Sequence, residues 1–277
     1  VRATSPLVGE TYDARTHALV DFSRAEAAAR QAPFVLLGEK HDNPDHHRLQ
    51  ARVLRAMVAA GRRPALVFEM IDVDLQPAID AYLATGGATL DGLRAVLEWD
   101  KRGWPAWELY RPIFEVALAA HSKIVAGGLP HDVIHRLVHG GVSALPPEIG
   151  AHVRLAPLEP ALQASLDAEI KASHCGFLPD EIVPAMSLAQ RVKDALMADL
   201  MARNAGPGGV VLVAGNGHVR TDRGVPLELG RAGAIAISFV EVNASIDPAA
   251  YEADEPATFL VFTPRVDDAD PCARFKR

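Results

Sequence analysis

Two cysteines in 277 residues, Cys175 and Cys272, give this chain neither a disulfide framework nor the spacing of a zinc ribbon. They could pair with each other, and the redox compartment stays open. Basic residues are also scarce: 28 Lys and Arg face 35 Asp and Glu, for a net charge of -7. A general nucleic-acid binder needs a basic surface to meet phosphates, so this balance argues against one. No apolar run approaches the roughly 20 residues of a membrane helix, and the chain as given does not span a bilayer. Because the first residue is Val1 rather than methionine, an upstream leader or lipid anchor stays open. Gly-x-Ser-x-Gly, His-Glu-x-x-His and phosphate-loop motifs are missing, which argues against serine hydrolases, zincins and P-loop enzymes.

What is present points to a folded α/β protein. The apolar fraction is 49% and the charged fraction 23%, ordinary values for a globular chain. Six short apolar runs read as strands: 33–37, 64–68, 123–126, 209–214, 234–240 and 258–262. Runs of this kind, apolar on both faces, suit a mostly parallel central sheet flanked by helices. Asn43 and Pro44 read as the N-cap and first residue of a helix whose apolar positions Leu49, Val53, Leu54 and Met57 continue until Gly61. Strand, loop, helix and strand make a right-handed crossover unit. With no internal repeat and no linker, residues 1–277 are expected to form one domain. Helical insertions at about 70–122 and 129–205 should cap the carboxyl ends of the strands, where ligands of such sheets bind.

The residues just after the strands carry the chemistry. Gly38-Glu39-Lys40-His41 follows the first run, Phe68 leads into Glu69, and Gly215-Asn216-Gly217-His218 follows the fourth. If those strands are neighbours, His41, His218, Glu39 and Glu69 form a mixed nitrogen and oxygen site for zinc, manganese, cobalt or iron. Glu69 or Glu39, left outside the metal's ligand set, would act as the catalytic base on a bound water. His46 and His47 point about 100° apart on one helix, so one is expected near the site and the other on the surface. His131, His135 and His139 recur every four residues, a spacing that can bind a metal or haem iron, but Gly140-Gly141 ends the helix at once and the helix dipole alone favours histidine there, so the plain reading is preferred. Gly176 reads as a helix cap beside His174 and Cys175, either of which could reach a ligand or simply pack. Tyr110, after the tryptophan cluster Trp99, Trp104 and Trp107, is a candidate ligand for ferric haem or a buried tyrosine with one satisfied hydroxyl.

Taken together these motifs resemble the ChaN family of haem-binding uptake proteins, within the Tiki/TraB superfamily. The resemblance rests on Leu37-Gly38-Glu39-Lys40-His41-Asp42-Asn43-Pro44 with His46-His47, on Phe68-Glu69-Met70, and on Trp107 with Tyr110-Arg111-Pro112. It continues through His174-Cys175-Gly176, Gln190-Arg191 with Asp194, and Gly215 to Arg220. It implies an α/β fold with helical insertions and a haem-binding role in bacterial haem or iron uptake. It also implies a homodimer, and a lipoprotein of the cell envelope. Tyr110, His174, His131 and Arg111 are the residues it suggests for haem. One departure concerns the stretch after the third strand, where Gly128-Leu129-Pro130-His131 replaces the family's Asn-x-Pro-Arg, removing an anion partner and supplying a histidine. Kinship with Tiki-type metalloproteases implies the alternative, a metal-dependent hydrolase using Glu39, His41, Glu69 and His218.

Overall fold

The computed structural model describes residues 5–230, 233–267 and 272. All six expected strands form, joined by two short ones at the N-terminus: β1 Thr11–Asp13, β2 Ala18–Val20, β3 Phe34–Glu39, β4 Ala65–Asp72, β5 Ile124–Gly128, β6 Val210–Gly215, β7 Ala234–Glu241 and β8 Phe259–Thr263. They make one sheet in the order β2-β1-β8-β7-β3-β6-β4-β5. Only β1 pairs antiparallel, with β2 and β8; the central pairs are all parallel. β1 and β2 escape the sequence reading because three residues are too few to show a period.

Helices α1 Ser23–Gln31, α2 Pro44–Ala59, α3 Gln76–Leu83, α4 Leu90–Val96 and α5 Trp107–Ala119 precede β5. Then come α6 His131–Gly140, α7 Pro147–Gly150, α8 Pro160–Ser173 and α9 Val183–Asn204, followed by α10 Asn216–Val219, α11 Val225–Leu229 and α12 Pro248–Asp254. The α2 start is the expected one: the Asn43 side chain accepts the Asp45 N–H at 2.9 Å and Pro44 occupies the first turn. Successive strand residues point to opposite faces, and the sheet therefore has two cores. Val35, Leu37, Phe68 and Val213 meet α1, α2 and α5 on one face, while Leu36, Val67 and Leu212 meet Met197 and Met201 of α9 on the other. The two insertions thus supply the crossover helices α5 and α9 as well as the shorter helices around them.

β3 lies between β6 and β7, and β6 between β3 and β4. The strands ending at Glu39, Glu69 and Gly215 are therefore immediate neighbours. The two cysteines are joined: Cys175 and Cys272 form a disulfide across 97 residues, tying the turn after α8 to the C-terminal segment.

Candidate functional site

Glu39, the last residue of β3, is buried and organises one half of the strand-end site. Its Oε1 accepts hydrogen bonds from His41 Nδ1 at 2.8 Å and from the Tyr110 hydroxyl at 2.6 Å. Its Oε2 lies 3.0 Å from His47 Nδ1. Burial opposes ionisation, but the His47 and His41 imidazoles outweigh it and hold Glu39 down at about 2. His47 also donates from Nε2 to the His41 carbonyl at 3.0 Å, which fixes the loop carrying His41.

The second half centres on Glu69 and His218. His218 lies between two carboxylates, with Nδ1 2.5 Å from Asp194 and Nε2 2.9 Å from Glu69. Lys193 donates to Glu69 Oε1 at 2.6 Å, and the Gly215 N–H donates to Oε2 at 2.9 Å. Burial pushes His218 down, yet Glu69 and Asp194 more than offset it and raise the imidazole to about 9. Glu69 is correspondingly held well below the ordinary carboxylate range, against its own burial, by His218 and Lys193. The halves meet at His41, whose Nε2 is 3.9 Å from Glu69 Oε2. Gly215 makes this approach possible, since a Cβ there would lie 3.1 Å from His41 Nε2. His41 is one-third exposed, packs edge-on against Trp104, and is raised above its ordinary value because Glu39 and Glu69 overcome burial.

The structure brings Glu39, His41, Glu69, His218 and Tyr110 into one network, and it changes what several of them can do. The Lys193 ammonium sits 2.6 Å from Glu69 and 3.2 Å from His218 Nε2, supplying the positive charge that a metal would bring there. Among the described residues no group of three or more His, Cys, Asp or Glu is arranged to hold a metal ion. Together these side chains form a hydrogen-bonded acid–base network at the strand ends. Tyr110 is fully buried and donates to Glu39, and burial and that carboxylate push its phenol far up. Both His46 and His47 are buried, against the expectation of one surface ring. His46 accepts the Lys40 N–H at 2.9 Å and meets Thr263 of β8 at 2.8 Å, because the start of α2 is packed beneath the sheet edge.

The remaining candidates lie outside this network. Arg111 is exposed and pairs with Glu115 at 2.9 Å, one turn along α5. His174 donates from Nδ1 to the Ile170 carbonyl at 2.7 Å, closing the end of α8. His131 is exposed at the start of α6. The groove beside α6, however, has a different character from the strand ends. It encloses about 530 Å3 between α6, α7, α9 and the edge strand β5, and Val133, Ile149, Leu196 and Leu200 line it. Arg136, Arg203 and His152 line it too, as do three carboxylates, Asp74, Asp132 and Glu148. His131 sits between two lining residues, Pro130 and Asp132. His152 Nδ1 lies 3.3 Å from Asp199 Oδ2, which also binds Arg203 at 2.6 Å.

Sequence reasoning missed Lys193, His152, Arg136 and Arg203. A signal for Lys193 exists: Gln190, Lys193 and Asp194 form a polar stripe at helical spacing on a helix otherwise apolar along Ala189, Val192 and Leu196. None exists for His152, a single histidine after a four-residue helix.

A family model described as haem-binding uptake, Tiki superfamily, ChaN matches residues 26–229. A search of curated proteins returns no match. Among solved structures, ChaN of Campylobacter jejuni, described as binding heme cofacially, aligns with 91% of this chain and 95% of its own at 20% identity, with a TM-score of 0.74. That likeness is one of fold. A MARTX toxin effector domain, RRSP of Vibrio vulnificus, aligns with 93% of this chain and 40% of its own at 15% identity and a TM-score of 0.44. The type III effector HopBA1 aligns with 86% and 91% at 13% identity and the same score. Both scores are too low to bear on function.

Proposed function

Because this chain belongs to the ChaN family of haem-binding uptake proteins in the Tiki superfamily, we propose that it binds haem in bacterial haem or iron uptake, in the groove between α6, α7 and α9. Haem needs an apolar slot, an axial ligand and cations for its propionates. The observation that carries the reading is that this groove has all three. Its volume of about 530 Å3 falls among small-molecule sites, its walls are Val133, Ile149, Leu196 and Leu200, and Arg136 and Arg203 supply two guanidiniums. His152 is the axial candidate: a carboxylate beside Nδ1 orients an imidazole for metal ligation by its other nitrogen. His131 stands at the rim. Bound haem would supply an iron centre for electron transfer or for release as nutrient. The strand-end cavity, about 450 Å3, suits haem less, since Val240 is the one large apolar side chain in its lining and no guanidinium lines it.

The Cys175–Cys272 disulfide supports an oxidising compartment. An envelope location follows from this reading, and a homodimer and a lipid anchor belong to it. The test is an absorbance titration with haemin. A saturable Soret shift at fixed stoichiometry is expected, lost or displaced in His152→Ala, weakened in Arg136→Ala and Arg203→Ala, and unchanged in His41→Ala. Non-saturable binding in the wild type would sink the proposal.

A second reading, hydrolysis at the strand ends, is favoured by one observation: a partly exposed imidazole, His41, stands between Glu39 and Glu69 beside the cavity. His41 would take a proton from water, and Glu39 would hold the imidazolium. Its raised pKa means that it works as a base only above its ordinary value of 6.5. Hydrolysis of a p-nitrophenyl ester should therefore rise with pH through neutrality and vanish in His41→Ala. A pH-independent rate, or one unaffected by that substitution, removes this reading.

A further inference from the structure

We infer that His135 and His139 form a two-imidazole site for a late first-row divalent cation, tightest for copper(II). The two residues lie four apart on α6, a helix of 10 residues, and so share one face. Both side chains are exposed, and their ring centroids are 4.4 Å apart at an interplanar angle of 55°. Among the described residues each ring's partner is the other: neither is hydrogen-bonded or ion-paired, so their ring nitrogens remain open to a ligand. A metal can bridge the rings without either leaving the helix surface. The same four-residue spacing presents two imidazoles to zinc in His-Glu-x-x-His helices.

The local field points the same way. His139 lies in the last turn of α6, before Gly141 closes the helix with φ +68°, and the carbonyl end of a helix favours a cation. His131 continues the stripe but sits at the opposite, positive end. The neighbouring carboxylate, Asp132, is taken by Arg136 at 3.1 Å. The site thus offers two nitrogens, with water completing the coordination. Such a donor set selects copper(II) over nickel and zinc by the ordinary affinity order, and rejects magnesium and calcium, which require oxygen ligands.

Calorimetric titration of the full chain with copper(II), zinc and magnesium tests the assignment. Copper(II) should bind, with nitrogen hyperfine structure from two imidazoles in its electron paramagnetic resonance spectrum; zinc should bind more weakly and magnesium not at all. His135→Asn and His139→Asn should each weaken copper by at least about tenfold, since even groups that only orient a ligand cost that much. His131→Asn should leave it unchanged. The same affinity in His135→Asn and His139→Asn overturns the assignment. So does a loss that instead follows His41→Asn or His218→Asn, which would locate the ion at the strand ends.

Discussion

Glu69→Ala should lose about 3–5 kcal/mol of folding free energy, the cost of removing one partner from a buried ionic cluster. Glu69 joins three elements at once: the Gly215 N–H after β6, His218 of α10 and Lys193 of α9. Without it, Lys193 loses its anion, and His218, raised to about 9, keeps Asp194 as its carboxylate partner. Asp194 is a poor substitute because burial pushes its own carboxyl up. Glu69→Gln should cost less, since it retains an acceptor for Gly215. Urea unfolding measures both, and a Glu69→Ala midpoint equal to wild type would refute the assigned role.

The pH dependence has a definite sign. Glu69 is depressed in the fold, so its contribution is complete above about 4.5 and disappears as pH falls through the folded value. His218 is raised, so its contribution is complete below about 6.5 and is lost as pH rises through about 9. Wild-type stability from this pair should therefore be greatest between those two ordinary values and decline on either side. In Glu69→Ala both slopes should flatten.

Reduction of the Cys175–Cys272 disulfide should cost about 4.7 kcal/mol, the loop-closure value for a loop near a hundred residues. The bond spans 97 residues, a stretch that contains α9, β6, β7 and β8, and its loss frees the C-terminal segment from the turn after α8. Cys175→Ser should reproduce the effect of reductant, and reductant should then do nothing further to the variant. Equal unfolding midpoints for oxidised and reduced wild type would show that the link adds no stability.

Much of this protein is written locally. Six strands, the Asn43-Pro44 start of α2 and the parallel sense of the central sheet follow from apolar runs and caps, which depend on near neighbours in sequence. Glu39, His41, Glu69 and His218 are legible for the same reason, each following a strand within a few residues. The motifs around them also sufficed to identify the family. Tertiary structure alone decided what these residues do together. Lys193, 124 positions from Glu69, joins Glu69 and His218, and Tyr110 donates a hydrogen bond to Glu39 across 71 positions. The groove between α6, α7 and α9 likewise draws Arg136, His152 and Arg203 from separate segments that share no period. Backbone pattern reports which way a strand or helix faces, whereas the charge and proton state of a buried side chain depend on whichever distant groups the packed fold brings within a few ångströms.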